Sequence, residues 1–337
     1  MNRIQLVGQA ITSTNYATKR LFNFNPDLVQ AAAENFLACG ITEVEIPQGV
    51  LDPNGRFPET GVDAATLEKT VAALPAETRV VGTYIGGKNL GADNEAYLKA
   101  NTRDLSRLME TFPDLRYAML HPAKKTLADA ESIQQIVQTF ARLADHAASQ
   151  RPGFELCFHN HFDTNAETAE GVRAYLAEIE KVGSPALRWG PDTGHCHGMG
   201  DAYLDVLREY AHLIGGHFHI KARIPAFDRV HGGEHYNPER DIWSNPAEVG
   251  GGLYSGFVNV ADPEIATPFK AVFEVVRESA KPAGGVVHGA LEIDNPRQHP
   301  RLEALCAALY LKNVHGIEGA MALSNDEIVQ RVFQQDT

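Results

Sequence analysis

The sequence predicts an α/β fold, a (β/α)8 TIM barrel with a long insertion between strand 7 and strand 8, as a single domain over residues 1–337. Short apolar strands alternate with amphipathic helical segments, and this alternation indicates parallel strands because each parallel connection needs a crossover. Eight such units can be counted, and strand starts recur roughly every 35–40 residues through the first five, as in a closed barrel with insertions. No Gly-x-Gly-x-x-Gly follows the first strand, which disfavours an open doubly wound sheet.

The first four strand-helix units contain residues typical of helix ends. The predicted strands are residues 4–10, 41–46, 79–85 and 115–120, and the predicted helices begin at residues 26, 63, 93 and about 126. Asn25 suits the N-cap of the first helix, Pro26 suits its first position, and Gly40 suits its end. Asp63 is placed to cap the second helix. Asp129 lies three residues after the start of the fourth helix, as in a capping box.

The last four units include the long insertion. The predicted strands begin near residues 154, 187, 213 and 286, and the predicted helices span about 167–181, 201–210, 262–279 and 302–311. More than 60 residues separate strands 7 and 8, and residues 223–261 exceed what one helical connection needs. Because long insertions after barrel strands lie on the catalytic face, residues 223–261 are predicted to form a lid. A surface excursion or an oligomer contact would fit this stretch equally well, and residues 316–337 are predicted to be a C-terminal extension.

Composition and charge argue against several classes of protein. The chain carries 30 Lys and Arg against 43 Asp and Glu, a formal net charge of −13, whereas nucleic-acid backbones are gripped by clustered basic residues. No apolar run reaches the roughly 18 residues of a membrane span. Residues 1–7 lack the layout of a secretory signal, so we expect a cytoplasmic protein. The four cysteines lie far apart without a Cys-x-x-Cys spacing and are expected to be reduced, mostly buried thiols.

Histidines cluster at the ends of three predicted strands. Six of the fourteen histidines follow strands 5, 6 and 7, in His159-Asn160-His161, His195-Cys196-His197 and His217-Phe218-His219. The C-terminal strand ends of a barrel all point toward one mouth, so the polar residues there are predicted to converge. These residues are Gln9, Glu45, His121, His159 or His161, Asp192 with His195, His217 or His219, and Glu292. Since carboxylates combined with imidazoles suit Mn²⁺, Co²⁺, Zn²⁺ or Fe²⁺ better than Ca²⁺, the cluster predicts one metal site.

Four motifs at the strand ends resemble those of a known family. They are, in chain order, His159-Asn160-His161, Asp192-Thr193-Gly194-His195, His217-Phe218-His219-Ile220-Lys221 and Leu291-Glu292-Ile293-Asp294. The sequence resembles the xylose isomerase-like barrels, which include sugar isomerases and epimerases, inosose and dehydroshikimate dehydratases, and endonuclease IV. The resemblance implies that Asp192, His219 and Glu292 bind a metal ion. It also implies that His195 and Arg223 contact substrate oxygens.

The sequence departs from the epimerases of this family at the fifth strand. The epimerases carry there a glutamate that is both metal ligand and acid/base, whereas this sequence has His159. A divalent ion that binds a carbonyl and its neighbouring hydroxyl stabilises the enediolate formed when the adjacent C–H loses its proton. Glu292 or His159 could take that proton. Return of the proton gives isomerisation or epimerisation, and loss of a β-leaving group gives a lyase. A histidine at this position favours an elimination reaction, for which one base is sufficient.

The predicted function is that of an isomerase or epimerase that acts on a sugar or keto-sugar by proton abstraction next to a carbonyl. The alternative is a lyase or dehydratase of a keto-sugar, cyclitol or keto-glycoside. An endonuclease IV-like phosphodiesterase or a non-enzymatic subunit is less favoured. One divalent metal ion is predicted, with Mn²⁺ as first choice and Co²⁺, Mg²⁺, Zn²⁺ or Fe²⁺ as alternatives. The predicted partner is a small-molecule sugar or cyclitol, with neither nucleic acid nor membrane, and formation of a homo-oligomer is left open.

Each candidate site residue has a predicted role. The predicted metal ligands are His159, Asp192, His219 and Glu292, the predicted catalytic residues are Glu292, His159 and His195, and the predicted substrate-binding residues are Glu45, His121, His161, Lys221 and Arg223. Asp192 could instead form only a turn, and Glu292 could belong to a structural ion pair. Glu45 could instead support a neighbouring site residue, or it could be a buried salt-bridge partner. Lys221 and Arg223 could be solvated charges.

Two pairs of histidines compete for a single ligand position each. His159 is ranked above His161 as the ligand from the fifth strand, and the other histidine is expected to support it or to contact substrate. His217 and His219 alternate in one strand and so share a face. His219 is predicted to be the ligand and His217 a packed core residue.

Overall fold

Eight parallel strands form the barrel that the sequence predicts. The structure is a computed structural model, and it describes residues 1–12, 28–47, 63–86, 89–161, 164–223, 236–237, 242–243, 257–263, 265, 267–294, 299–319, 324 and 326–327. The barrel strands are β1 (Arg3–Gln9), β2 (Glu43–Pro47), β3 (Arg79–Ile85), β4 (Tyr117–Leu120), β5 (Glu155–Phe158), β6 (Leu187–Trp189), β7 (His217–Ile220) and β8 (Val286–Leu291). They form one sheet in the order β6-β5-β4-β3-β2-β1-β8-β7. This order confirms the predicted (β/α)8 TIM barrel.

The barrel closes between β6 and β7 through single bridges. Trp189 bridges in parallel to Ile214, and Asp192 bridges in parallel to His219. Two backbone hydrogen bonds of 3.0 Å, from Gly215 N to the Trp189 carbonyl and from His219 N to the Pro191 carbonyl, accompany these bridges. The closing seam therefore runs through Asp192 and His219, two residues of the predicted metal site.

Helices alternate with the strands, as the sequence predicts. They are α1 (Val29–Ala38), α2 (Ala64–Ala73), α3 (Asn94–Thr111), α4 (Ala130–Gln150), α5 (Ala169–Val182), α6 (Tyr203–Glu209), α7 (Phe269–Ser279) and α8 (Pro300–His315). Asp63 caps α2 as predicted, since its side chain accepts a 2.7 Å hydrogen bond from Thr66 N. Among the helices that the structure describes, none has both the length and the apolar character to cross a membrane.

The start of the first helix lies at the edge of the described residues. Val29 is the first residue of α1, and Leu28 occupies the N-cap position without a side-chain hydrogen bond. The predicted cap, Asn25, and the predicted first helical residue, Pro26, lie outside the described residues.

The fourth helix and the seventh strand begin later than predicted. Asp129 does not lie inside the helix but is the N-cap of α4, accepting a 2.9 Å hydrogen bond from Ser132 N. A separate 3-10 turn, Lys125–Leu127, precedes it. β7 begins at His217, because Ala211–Leu213 form another 3-10 turn. In each case a short turn takes residues that apolar periodicity alone assigns to the neighbouring element.

The insertion after β7 is described only in part. Ala222–Arg223 pairs antiparallel with Phe257–Val258, so the two ends of residues 223–261 meet next to β7. Tyr236–Asn237 pairs antiparallel with Ile242–Trp243. Most of the predicted lid, and most of the predicted extension at residues 316–337, lie outside the described residues.

Gly82 makes room for a tyrosine inside the barrel. It pairs with Tyr117 across β3 and β4, and a Cβ on Gly82 would overlap the Tyr117 ring. Tyr117 is buried and stacks on His217 with ring centroids 4.1 Å apart, so the ring has little space to move aside. We expect Gly82→Ala to lower the free energy of unfolding by about 1–3 kcal/mol, measured by urea denaturation.

Gly284→Ala is the matched control for this prediction. A Cβ at Gly284 would meet nothing within 4 Å, so we expect a change within about 0.5 kcal/mol. Equal unfolding free energies for Gly82→Ala and Gly284→Ala would contradict the packing argument.

Candidate active site

The predicted site residues lie at one end of the barrel. β2 carries Glu45, β4 is followed by His121, β5 by His159 and His161, β6 by Asp192 and His195, β7 contains His219 and is followed by Lys221 and Arg223, and β8 is followed by Glu292. Parallel strands of a closed barrel present these C-terminal ends at a common mouth. All but His121 and His161 are buried, and these two are half-buried.

Two of the four predicted metal ligands approach a nitrogen of a third. His219 Nδ1 lies 2.6 Å from Glu292 Oε2 and 3.3 Å from Asp192 Oδ2. His159 Nε2, the fourth predicted ligand atom, lies 3.5 Å from the same Asp192 oxygen. Two ligands that each bond one ion at about 2.1 Å stand roughly 3.0–3.4 Å apart. The separation of 3.3 Å lies in this range, that of 3.5 Å lies just above it, and that of 2.6 Å is shorter. His159, Asp192 and His219 form one of the candidate metal-binding groups among the described residues.

A tight turn fixes the Asp192 carboxylate. Its Oδ1 accepts hydrogen bonds from Gly194 N at 2.7 Å and His195 N at 2.8 Å. Its backbone is held by Asn160, which accepts from Asp192 N at 2.9 Å and donates to the Asp192 carbonyl at 3.2 Å. The turn that the sequence offers as an alternative to a functional role is thus present, and it directs the other carboxylate oxygen into the site.

That other oxygen, Asp192 Oδ2, fits a cation. It is buried and has no hydrogen-bond partner among the described residues. Nitrogens of His219, His159, His195 and Lys221 lie 3.3, 3.5, 3.8 and 3.8 Å from it, and none has both the distance and the angle of a hydrogen bond to it. A buried carboxylate oxygen without a partner is costly, and a cation among these donors would remove that cost.

The charges of the site also leave room for a divalent cation. Four carboxylates, Glu45, Asp192, Glu292 and Asp294, are buried among the residues of these strand ends, and so are two permanent cations, Lys221 and Arg223. Two negative charges are therefore in excess. Burial lowers the pKa of His219, but Glu45, Glu292 and Asp192 outweigh burial and raise this pKa well above its ordinary range. Burial raises the pKa of Asp294 well above its usual range in spite of Lys221. Without a metal ion, protons on His219 and Asp294 compensate the two excess negative charges. A bound divalent ion would compensate the same two charges.

Lys221 connects several of these acids. Its side chain is 1 % exposed, so the alternative of a solvated charge is wrong, and Arg223 is likewise buried. Lys221 Nζ lies 2.8 Å from Asp294 Oδ2, 3.0 Å from Glu292 Oε1 and 3.2 Å from His195 Nε2. Burial lowers the pKa of Lys221, but Asp294, Glu292 and Asp192 outweigh burial and raise it. A charged ammonium thus contacts two carboxylates and an imidazole at the site.

Imidazole rings line the mouth outward from His219. Ring centroids are 4.9 Å apart for His159 and His219, 5.7 Å for His159 and His195, 3.9 Å for His161 and His195, and 4.5 Å for His121 and His161. Burial, followed by neighbouring histidines and Lys221, lowers the pKa of His159 and of His195 well below the ordinary value. Burial lowers the pKa of His121 to about 4. Neutral imidazoles of this kind can bind a metal ion or accept a proton.

Glu45 lies behind His219, as seen from Asp192. Its Oε1 accepts a 2.5 Å hydrogen bond from Gln9 Nε2 and lies 3.1 Å from His219 Nε2. Its Oε2 lies 3.6 Å from His217 Nε2. Glu45, His217 and His219 form a second candidate metal-binding group among the described residues. As predicted, His217 packs in the interior, where it stacks on Tyr117.

Three contributors to the site have no role in the sequence prediction. Asp294 shares a face with Glu292 two residues earlier, and this period-two spacing is the signal that could have found it. Asn160 lies inside the His159-Asn160-His161 motif and holds the backbone of Asp192. No sequence signal identifies Tyr117 as a site residue, because an aromatic residue in a barrel strand predicts only a buried core position.

Comparisons with known proteins agree with this architecture. Residues 32–261 match the model of a family described as xylose isomerase-like TIM barrel. No match is found among curated protein sequences. Three of the solved structures of similar fold have sequence identities to this chain of 14–18%, so the likeness shows the fold alone.

The probable 3-DHS dehydratase AsbF from Bacillus anthracis has a TM-score of 0.61 and 18% identity, over 92% of this chain and 99% of that chain. The D-allulose 3-epimerase from Methylomonas sp., solved with D-allulose, has a TM-score of 0.58 and 14% identity, over 93% of this chain and 97% of that chain. The IOLI protein with a bound zinc atom has a TM-score of 0.59 and 14% identity, over 95% of this chain and 100% of that chain.

Proposed function

The chain belongs to the xylose isomerase-like TIM barrel family, and from this premise we propose that it is a divalent-metal-dependent isomerase or epimerase of a sugar or keto-sugar. The observation that carries the proposal is the approach of Glu292 Oε2 and Asp192 Oδ2 to one nitrogen of His219, at 2.6 and 3.3 Å. The fold likeness to a D-allulose 3-epimerase and to a zinc-bound protein supports the same class of chemistry.

The proposed metal ligands are His159, Asp192, His219 and Glu292, with Mn²⁺ as first choice. When bound, a divalent ion polarises a carbonyl and stabilises negative charge on its oxygen. Asp192 suits a ligand role because its turn fixes the carboxylate before any ion arrives. His159, and not His161, has a ring nitrogen beside the Asp192 oxygen, at 3.5 Å.

Glu292 is the proposed base. It would take the proton from the carbon next to the carbonyl, while Lys221 holds its Oε1 at 3.0 Å. Return of the proton to the neighbouring carbon isomerises the sugar, and return to the other face of the same carbon epimerises it. His195, together with the outer rings of His121 and His161, is proposed to bind substrate hydroxyls or to assist proton transfer.

A lyase or dehydratase is the second candidate function. The observation that favours it is the neutral His159 at a position where the epimerases of the family carry a carboxylate. An elimination needs only one base. Lys221 Nζ and His195 Nε2, 3.2 Å apart, would supply a proton to the leaving group. The fold likeness to a probable dehydratase supports this candidate.

Proton exchange in D₂O separates the two candidates. The protein reconstituted with Mn²⁺ is incubated with ketopentoses, ketohexoses, an inosose and a 3-keto-glycoside, and the products are followed by NMR. We expect deuterium at the carbon next to the carbonyl in a product that keeps all its oxygens. Loss of water or of an aglycone would assign the lyase. Absence of both exchange and elimination with every substrate, in protein that holds its metal ion, would contradict both candidates.

A further inference from the structure

Glu45 contacts the ring of His219 from the side opposite to the proposed metal ligands. His219 Nε2 lies 3.1 Å from Glu45 Oε1, whereas His219 Nδ1 faces Glu292 and Asp192. A carboxylate has no proton to donate, so the hydrogen bond requires the proton on Nε2. With that proton in place, the electron pair of neutral His219 lies on Nδ1.

The two candidate metal-binding groups cannot be one site. Both include His219, but Glu45 and His217 approach its Nε2 side, and Asp192 approaches its Nδ1 side. The carboxylates of the site exceed its permanent cations by two charges, which one divalent ion balances. A second ion beside Glu45 would leave two positive charges in excess within a buried region, where uncompensated charge is costly.

We propose that Glu45 is a positioning residue for His219. It accepts the hydrogen bond from Nε2, which fixes the ring orientation and presents Nδ1 to the ion. The inference rests on the proposed metal site, and it assigns to Glu45 a role other than binding substrate. Carboxylates that accept the second N–H of a metal-bound histidine raise its basicity and fix its tautomer.

Glu45 is itself held in place on two sides. Gln9 Nε2 donates to its Oε1 at 2.5 Å, and Gln9 Oε1 accepts from Ile11 N at 3.2 Å. His217 Nε2 lies 3.6 Å from its Oε2, and the His217 ring stacks on Tyr117. The side chain is fully buried. A carboxylate that is anchored in this way can define the orientation of the ring that it contacts.

The test compares metal affinity among variants of the full chain. Zn²⁺ affinity and stoichiometry are measured by competition with a chelator, and thermal unfolding is measured in parallel. We expect one ion per wild-type chain and an affinity about 10–100-fold lower for Glu45→Ala. Glu45→Gln keeps an oxygen that accepts from Nε2 and is expected to recover most of the affinity. Gln9→Met removes the hydrogen bond to Glu45 and also the one from Ile11 N, and it is expected to lie between the two if Glu45→Ala does not fold.

Glu155→Gln is the matched control. Glu155 is another buried glutamate, at the opposite end of the barrel, and it accepts hydrogen bonds from Gly216 N and Ala283 N. We expect it to lose stability while its Zn²⁺ affinity stays within about twofold of wild type, since it is remote from the ligands. Nitrogen-15 NMR of the histidines in Zn²⁺-loaded wild type is expected to show His219 bonded to hydrogen at Nε2 and to the metal at Nδ1.

Each contrary result has a distinct meaning. Unchanged affinity in Glu45→Ala, or coordination of Zn²⁺ by His219 Nε2, overturns the positioning role and leaves the proposed metal enzyme standing. Two ions per wild-type chain, with the second lost in Glu45→Ala, makes Glu45 a ligand and also overturns it. A wild-type chain that binds no Zn²⁺ overturns both the positioning role and the proposed function.

Discussion

Glu292→Gln is expected to lower kcat by about 10²–10⁴-fold, the usual contribution of a positioned base. The glutamine has nearly the same shape but cannot accept the substrate proton. It also places an amide group between Lys221 Nζ and His219 Nδ1, which the carboxylate oxygens approach to 3.0 and 2.6 Å. Because the amide carries no negative charge, it interacts more weakly than the carboxylate with the Lys221 ammonium and with a divalent ion. The metal content is expected to fall together with kcat.

The measurement is turnover of the substrate identified in D₂O, with metal content determined on the same samples. Glu155→Gln serves again as the control, because it removes a buried carboxylate at the other end of the barrel. We expect the control to keep kcat within about twofold of wild type. If Glu292→Gln kept its metal ion and its kcat within a factor of ten, another residue, such as His159, would have to be the base.

The barrel could be predicted because its strands and helices follow local rules. β3 spans residues Arg79–Ile85, as the apolar run indicates, and Asp63 caps α2 where the sequence places a cap. The misplaced boundaries occur where two short turns, Lys125–Leu127 and Ala211–Leu213, continue the apolar pattern of a neighbouring element. Periodicity describes which face is buried, and it contains little information about where a hydrogen-bond pattern changes.

The convergence of the site followed from topology. Asp192, His219 and Glu292 are far apart in sequence, but each lies at the C-terminal end of a parallel strand, and the structure brings them together. What the sequence could not give is the orientation of each side chain. Which nitrogen of His219 faces Asp192 depends on Glu45, 174 residues away. Likewise, the placement of His159 rather than His161 beside Asp192 depends on how β5 ends.

The role of Lys221 was the hardest to foresee, because a lysine after a strand reads as a solvated charge. The structure surrounds its ammonium with acids: Asp294 Oδ2 at 2.8 Å, Glu292 Oε1 at 3.0 Å and Asp192 Oδ2 at 3.8 Å. Burial of a lysine is tolerated only when its charge is paired, and here two partners follow β8 and one follows β6. The usual preference of lysine for the surface therefore does not predict the burial of Lys221.

Lys221→Met is expected to lower the free energy of unfolding by about 3–5 kcal/mol, the cost of leaving buried partners of a removed charge uncompensated. Methionine fills a similar volume, so the loss reports charge more than packing. Measured by urea denaturation in the presence of EDTA, the variant should show this full loss. Saturating Mn²⁺ should restore part of it, because an ion that binds only the folded state stabilises that state and also supplies positive charge.

Lys181→Met is the control for Lys221→Met. Lys181 is 65 % exposed and pairs with Glu178 at 3.2 Å on the surface of α5, where such pairs contribute about 0–1 kcal/mol. Its substitution should change the unfolding free energy little and independently of Mn²⁺. Equal effects of the two substitutions would mean that the acids around Lys221 are neutral in the folded protein. The site would then carry no excess of negative charge. Its charge balance would support neither a divalent ion at Asp192 nor the positioning role of Glu45.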